Sequence, residues 1–182
     1  MSMFDTLIVP KEPKFYEKEP GEPTIYYPKA TMSVKVKKLY PDSELPTHGS
    51  IEAAGWDLYA HDADGWDGHE IFYIQPHSTV KINTGLAMAI ERGWEGQIRP
   101  RSGLATKQGL RPANTPGTID SDYRGPIIVA LHNDSDDIQS IEKGDRIAQI
   151  CFRQVPETYW KVVDELDETN RGEGGFGSSG KS

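Results

Sequence analysis

The chain has 182 residues, of which 36% are hydrophobic and 26% charged, so we expect one globular domain with appendages rather than a disordered or membrane protein. Its formal net charge of -8 argues against a nucleic-acid partner, because binding to a nucleic-acid backbone depends on clustered Lys and Arg.

The sequence also indicates the redox state of the cysteine and the location of the protein. Cys151 is the only cysteine, so no disulfide framework can form within the chain, and its apolar neighbours predict a buried, inert thiol. The N-terminus lacks a basic stretch followed by an apolar one, and no apolar run approaches the length of a membrane span. We therefore expect a cytoplasmic protein without a membrane partner.

Residues 1–31 form the first segment in chain order. Five prolines lie there among Lys and Glu, a composition that favours extended or unfolded backbone. The segment is predicted to be a flexible N-terminal arm. Its runs TLIVP and TIYYP are alternatively edge strands or docking sites for a protein partner.

Residues 32–165 are predicted to form an all-β domain. Short β-type runs alternate there with clusters of Gly, Pro, Asn and Asp such as NTG and NTPG, which are typical of tight turns. This rhythm indicates a sandwich or barrel. The predicted strands are 33–39, 56–60, 71–74, 79–82, 86–90, 97–99, 127–131 and 146–152.

One short helix is predicted over 102–109, where Gly109 ends it. Residues 166–182 form a predicted C-terminal tail with a Gly-rich stretch, RGEGGFGSSG, that lacks core-forming residues apart from Phe176. In isolation we expect this tail to be mobile.

The segment RPRSGLA at 99–105 combines guanidinium, hydroxyl and backbone N–H donors at a strand-to-helix junction. Arg101, Ser102 and Gly103 are therefore candidate anion ligands. The alternative is a charged turn in which Ser102 only caps the helix. In GDRIAQI at 144–150, Gln149 is the residue whose amide could reach a phosphate, whereas Asp145 is expected to pair with Arg146 or another neighbour.

The loop GTIDSDYRG places a carboxylate, an aromatic ring and a cation within a few residues. Asp120 could deprotonate a water beside a phosphoryl centre, and Tyr123 could offer a flat face to a sugar. The alternative is an Asx-type turn whose tyrosine packs into a neighbouring strand.

The Gly-rich tail is either a flexible linker or a lid that closes over a base and a polyphosphate. Arg171 and Phe176 favour the lid, because an aromatic ring can stack on a base while Arg, Gly and Ser contact phosphate oxygens. The histidines are scattered without metal-ligand spacing, so a structural zinc is not expected. Magnesium remains possible, because a substrate's phosphates supply most of its ligands.

Taken in order, the segments AAGWDLYA, RPRSGLA, NTPGTIDSDYRG, GDRIAQI and RGEGGFGSSG resemble the five motifs of the trimeric dUTPase family. The resemblance implies a distorted jelly-roll (β-clip-like) subunit of a homotrimer, with active sites shared between subunits and a mobile C-terminal lid. It also implies hydrolysis of dUTP to dUMP and pyrophosphate with Mg²⁺ on the triphosphate. Such a reaction keeps uracil out of DNA and supplies dUMP for thymidylate synthesis.

The resemblance also assigns roles to residues of this chain. Asp120 would activate the attacking water, and Tyr123 would pack beneath the deoxyribose, where a ribose 2′-hydroxyl would clash. Asp57 would support the metal through water, with no direct protein ligand. The residues implied to bind uracil are Asn114, Gly117, Thr118 and Ile119; those implied to bind phosphate are Arg101, Ser102, Gly103 and Gln149; and those implied to form the lid are Arg171, Phe176, Gly177, Ser178 and Ser179.

Three features depart from the family pattern. Trp56 stands where the family commonly has Tyr, and Pro126 replaces a polar residue, which removes a backbone donor. The acidic stretch 61–70 is longer than the usual loop. Two alternatives stay open on the sequence: a dCTP deaminase, which shares the fold, and a regulatory module in which nucleotide binding orders the tail and the arm contacts a partner.

Overall fold

The computed structural model describes residues 32–63, 65–66 and 71–175. Its strands are β1 (Lys35–Lys38), β2 (Thr47–His48), β3 (Trp56–Tyr59), β4 (Asp62–Ala63), β5 (Ile71–Ile74), β6 (Thr79–Ala89), β7 (Trp94–Arg99), β8 (Leu110–Pro112), β9 (Gly117–Ile119), β10 (Pro126–Asn133), β11 (Gln139–Glu142) and β12 (Arg146–Gln154). Its helix, α1, spans Ser102–Gln108. The all-β prediction is confirmed.

Two larger antiparallel sheets and one two-stranded sheet make up the fold. The first sheet has the order β1-β6-β10-β8, with β4 also paired to β6, and the second has the order β2-β3-β12-β7-β9. Strands β5 and β11 form the small sheet. Neighbours in these sheets are mostly distant in sequence, as in a distorted jelly roll.

The core lies between the inner faces of the two larger sheets. Alternation along β10 shows how the sequence builds it, since Ile127, Val129 and Leu131 are buried while Pro126 and Ile128 are exposed. Ile98 of β7 and Ile150 of β12 are cross-strand neighbours in the second sheet and are likewise buried. Burial of each such side chain contributes roughly 1.5–3 kcal/mol.

One predicted turn is wrong. The NTG stretch at 83–85 is predicted to separate two strands, but β6 runs through it from Thr79 to Ala89. The strand accommodates the stretch by an irregularity, because its pairing with β10 shifts between Pro126 and Ile128 and Gly85 adopts a φ of 70°. Buried hydroxyls stabilise this point: Ser43 donates to the Gly85 carbonyl and Thr84 to the Ile127 carbonyl, both at 2.8 Å.

The predicted helix is present and ends where expected. Gly109 follows α1 with a φ of 68°, and its N–H bonds to the Leu104 carbonyl. The alternative in which Ser102 caps the helix is wrong. Arg101 occupies the N-cap position without a side-chain cap, and Ser102 is the first helical residue.

Residues 155–175 follow β12 without regular secondary structure and expose Tyr159, Trp160 and Val162. Within the described part of the chain, the residues from Val34 onward group as one compact unit. The predicted arm at 1–31 and the lid residues Phe176, Gly177, Ser178 and Ser179 lie outside the described residues. Within the described ranges, no helix is long and apolar enough to cross a membrane.

Candidate functional site

A row of polar residues crosses the second sheet. Asp57 of β3 lies directly opposite Gln149 of β12, which in turn lies opposite Arg99 of β7. Residues that oppose each other in antiparallel strands project from the same face, so the pairing places a carboxylate, an amide and a guanidinium side by side.

Asp57 is at the centre of a charged group that consists of Asp57, Arg101, Arg146 and Gln149. Its Oδ1 accepts a hydrogen bond from Nε of Arg101 at 3.0 Å, and its Oδ2 accepts one from Nη1 of Arg146 at 3.1 Å. Asp57 is buried, whereas Arg146 retains about half of its side-chain exposure. The carboxylate therefore orients two cations, one of which stays open to a ligand.

Arg146 is a residue that sequence reasoning missed. The sequence predicts a pair between Asp145 and Arg146 or a neighbour, but Asp145 instead accepts a hydrogen bond from the backbone N–H of Glu142 at 2.8 Å. The partner of Arg146 is Asp57, 89 residues away in the chain. Only the pairing of β3 with β12 reveals this contact, and no local pattern contains it.

Further hydrogen bonds attach the loop before α1 to β12. Nη1 of Arg101 donates to the Arg146 carbonyl at 3.0 Å, and Nε2 of Gln149 donates to the Pro100 carbonyl at 2.8 Å. Gly55 makes room for Gln149, since a Cβ at Gly55 would lie 3.0 Å from the Gln149 Cδ and closer still to its Oε1. Ser102 and Gly103 are exposed beside these contacts. Arg101 and Gln149 are thus held beside Ser102 and Gly103, and the binding of phosphate by these four residues stays a prediction.

His48 borders this charged group from β2 and packs against Trp56 in a tilted arrangement, with ring centroids 3.7 Å apart. Burial lowers the pKa of His48, and the nearby charge of Asp57 only partly opposes that change. The imidazole is therefore neutral at neutral pH, and the positive charge of the group comes from its arginines.

A pocket of about 230 Å³ lies between β9 and β10. It is lined by Thr118, Ile119, Asp120, Tyr123, Pro126 and Ile128. Four of these residues are among the site residues predicted from the sequence. Asn114 precedes the pocket, with Nδ2 at 3.2 Å from the position of a Cβ at Gly117, so the amide lies over the first residue of β9.

The loop after β9 is closed by its own hydrogen bonds. The N–H of Tyr123 donates to the Asp120 carbonyl at 3.2 Å, and the Arg124 guanidinium donates to the carbonyls of Ser121 and Tyr123 at 2.7 Å. Asp120 and Tyr123 both remain exposed at the pocket. The arrangement holds a carboxylate and an aromatic ring on one wall without a ligand.

The pocket and the charged group are neighbours in the sheet. β9 pairs with β7, and the chain continues from β7 into Arg101. Within the described residues, however, no hydrogen bond or ion pair joins Asp120 or Tyr123 to Arg101 or Gln149. Among the described residues, Arg171 does not join the pocket or the charged group either, because its Nε donates to the Gly174 carbonyl of its own turn at 2.7 Å.

A family model described as dUTPase matches residues 42–180. The deoxyuridine 5′-triphosphate nucleotidohydrolase of Nautilia profundicola is 48% identical over 150 residues, which are 82% of this chain and 100% of that protein. The enzyme of the same name from Syntrophotalea carbinolica is 45% identical over 150 residues, covering 82% of this chain and 98% of that one.

Solved structures show the same fold. The dUTPase of Staphylococcus bacteriophage 80alpha, solved with dUPNHPP, superposes with a TM-score of 0.68 and 27% identity, over 81% of this chain and 98% of that one. A mutant dUTPase of phage phi11 of S. aureus, described with a structural Mg(II) ion, gives a TM-score of 0.61 at 22% identity over 74% of this chain and 98% of its own, a likeness that concerns the fold alone.

Proposed function

Because this chain belongs to the dUTPase family and hydrolyses dUTP to dUMP and pyrophosphate, we propose that the pocket between β9 and β10 binds the nucleoside and that Asp120 activates the attacking water. The observation that carries the proposal is the exposure of Asp120 and Tyr123 on one pocket wall. Hydrolysis also decides against the deaminase and against a module that only binds nucleotide.

Recognition of the nucleoside uses the wall formed by β9 and its flanking loops. Asn114 hydrogen-bonds the uracil together with backbone groups of Gly117, Thr118 and Ile119, which form the short strand beside it. The ring of Tyr123 lies beneath the deoxyribose and leaves no room for a 2′-hydroxyl. Base and sugar are thus selected by one continuous segment.

The triphosphate binds to the charged group on the second sheet. Arg101, Ser102, Gly103 and Gln149 supply its donors, and the contact between Arg146 and Asp57 adds a second guanidinium to them. Two guanidiniums against one carboxylate leave the group net positive, which suits a polyanion. The role of Asp57 toward the phosphates is to hold both arginines in place.

The donor set fits a magnesium ion that arrives on the nucleotide. Among the described residues, no group of three or more His, Cys, Asp or Glu side chains could hold a metal. Mg²⁺ needs few protein ligands when phosphate oxygens and waters complete its shell, with Asp57 behind such a water. When bound, the ion neutralises phosphate charge and favours departure of pyrophosphate.

The reaction follows from this placement. Asp120 accepts a proton from a water that attacks the α-phosphorus in line with the bond to the leaving oxygen, and that bond breaks to release pyrophosphate. The guanidiniums of Arg101 and Arg146 stabilise the charge that develops on the phosphate oxygens. Positioning and electrostatics therefore account for catalysis without a covalent intermediate.

The site is completed by assembly into a homotrimer with shared active sites. The lack of any described bond between the pocket and the charged group supports this arrangement, since the two halves are free to belong to different chains. The lid comprises Arg171, Phe176, Gly177, Ser178 and Ser179 and closes over the nucleotide. A protein partner bound through the N-terminal arm remains a prediction.

Replacing Asp120 by Asn tests the catalytic role. With Mg²⁺ and dUTP, we expect pyrophosphate release to fall at least about 100-fold while dUTP binding persists, because only the proton acceptor is lost. Asp122→Asn is the matched control, since Asp122 is an exposed carboxylate of the same loop that does not line the pocket. Wild-type turnover by the Asp120 variant, or equal losses in both, would reject Asp120 as the base.

Isotopically labelled water tests the point of attack. Hydrolysis in H₂¹⁸O should place the label in dUMP and leave pyrophosphate unlabelled, because the new bond forms at the α-phosphorus. Label in pyrophosphate would show attack at the β-phosphorus and contradict the proposed geometry.

A further inference from the structure

The ring of Tyr123 is held against the backbone that follows it. Its Oη donates a hydrogen bond to the Pro126 carbonyl at 3.1 Å, so the side chain folds back over Gly125 toward β10. We propose that Gly125 is a specificity-determining position, because the space left by its missing side chain fixes the ring that separates deoxyribose from ribose. This inference rests on the proposed role of Tyr123 beneath the sugar.

The need for glycine at position 125 is one of space. A Cβ there would lie 2.7 Å from Cζ of Tyr123 and closer still to its Oη. Gly125 is not among the residues with positive φ, so its backbone conformation is one that other residues adopt. Any side chain would therefore push the ring away from the backbone, whereas the backbone itself would tolerate the change.

The carbonyl that receives the tyrosine hydroxyl is itself fixed. Pro126 is the first residue of β10 and pairs with Ala87 of β6, and its ring restricts φ. From the other side, the Arg124 guanidinium holds the carbonyls of Ser121 and Tyr123. The ring is thus positioned by groups of the same chain before any nucleotide binds.

A fixed ring has a consequence for sugar selection. Ribose differs from deoxyribose by one hydroxyl group, and a wall that can move aside would accommodate it at little cost. Tyr123 is 41% exposed and lines the pocket, so one part of it faces the sugar site while its hydroxyl end is tethered. The hydrogen bond from Tyr123 to Pro126 and the space at Gly125 therefore affect discrimination between dUTP and UTP more than they affect turnover of dUTP.

The test compares kcat/KM for dUTP with kcat/KM for UTP. In Gly125→Ala we expect the dUTP/UTP ratio to fall by about tenfold, because the displaced ring no longer excludes the 2′-hydroxyl. In Tyr123→Phe, which loses only the tether, the ratio should fall by about threefold. Gly49→Ala is the matched control, since no atom lies within 4 Å of a Cβ at Gly49, and its ratio should equal that of the wild type.

The outcomes separate this inference from its premise. A folded Gly125→Ala with the wild-type ratio overturns the inference, and if that variant does not fold, an unchanged ratio in Tyr123→Phe overturns it. Tyr123→Ala tests the premise: loss of discrimination there with a wild-type ratio in Gly125→Ala rejects Gly125 alone. Retained discrimination in Tyr123→Ala rejects the role of Tyr123 and this inference with it.

Discussion

Asp57 and its two arginines show how a single buried carboxylate arranges a binding surface. The carboxylate is 8% exposed, yet the cations that it binds reach toward solvent from different segments. Each charge-assisted hydrogen bond contributes about 1.5–3 kcal/mol, and removal of the carboxylate leaves two guanidiniums without their shared anion. Under the proposed function, stability and phosphate binding therefore both depend on Asp57.

Asp57→Asn should lower both properties. We expect the free energy of unfolding to fall by about 2 kcal/mol in urea denaturation, and kcat/KM for dUTP to fall as the arginines lose their orientation. Asp145→Asn keeps an oxygen that can accept from the backbone and should cost less than about 1 kcal/mol. Equal stability of the wild type and Asp57→Asn would show that the arginines do not depend on the charge.

At the residue scale, the sequence predicted the kinds of side chain but not their partners. Asp120 and Tyr123 stand in one short loop, so proximity in the chain was sufficient to group them. Arg146 was missed because its partner is set by the register of β3 against β12, which depends on packing of the whole sheet.

At the scale of elements, α1 and β6 show two different outcomes of local glycine signals. Gly109 ends the helix as predicted, because its left-handed conformation lets its N–H bond to the Leu104 carbonyl. Gly85 also has positive φ, but hydrogen bonds to partner strands on both sides carry β6 through it. Tertiary pairing thus overrides turn propensity in the long strand.

Gly109→Ala should destabilise the protein by about 1–2 kcal/mol, because alanine is strained at positive φ. A Cβ there would also lie 3.1 Å from the backbone N of Ser135. Thermal denaturation gives the measurement, and Gly103→Ala in the same helix is the control. Outside its own helix backbone and chain neighbours, no described atom lies within 4 Å of a Cβ at Gly103, so that variant should gain about 0.5 kcal/mol. A loss of similar size in both variants would contradict this explanation.

We expect the proposed function of the C-terminal tail to be separable from folding. A chain ending at Asn170 should keep the wild-type melting temperature, because Arg171 bonds only within its own turn among the described residues. Its kcat/KM for dUTP should fall by about tenfold or more if the lid closes the site. Phe176→Ala should lose part of the same activity, and unchanged kinetics of the truncated chain would reject the lid.

At the scale of the whole molecule, two carboxylates tie distant segments together. Asp42 lies 2.5 Å from Nζ of Lys143, and this contact together with His61 holds the pKa of Asp42 well below its usual range. Asp134 pairs with Arg111 through both oxygens, which likewise lowers the pKa of Asp134. Folding therefore favours the charged form of both groups.

These directions predict acid sensitivity. A carboxyl whose pKa is lowered in the folded state adds stability above its unfolded pKa, near about 4, and loses that contribution as pH falls through the folded value. The melting temperature should therefore drop less between about pH 6 and pH 3 in Asp42→Asn than in the wild type. Parallel curves for Asp42→Asn and the wild type would show that the Lys143 contact is not maintained in solution.

The class of fold was predictable from the whole chain, whereas its topology was not. Short β-type runs between turn residues predicted an all-β protein, and the motif resemblance implied a jelly roll. The two- and three-residue strands β2, β4, β8 and β9 escaped prediction because so short a stretch has no period of its own. These short strands form because they pair with the edges of longer strands.

Among the described residues, the pocket is lined by residues between Thr118 and Ile128, while the charged group draws on two strands, β3 and β12, and on the loop before α1. In the proposed function, the residues that select the nucleoside lie in one stretch of the chain, 114–123, and the residues that bind the triphosphate lie elsewhere. Because Asp120 lies in the same stretch, an engineered graft that exchanges it as a cassette would change the preferred nucleoside and keep hydrolysis only if the cassette also carried a carboxylate at position 120.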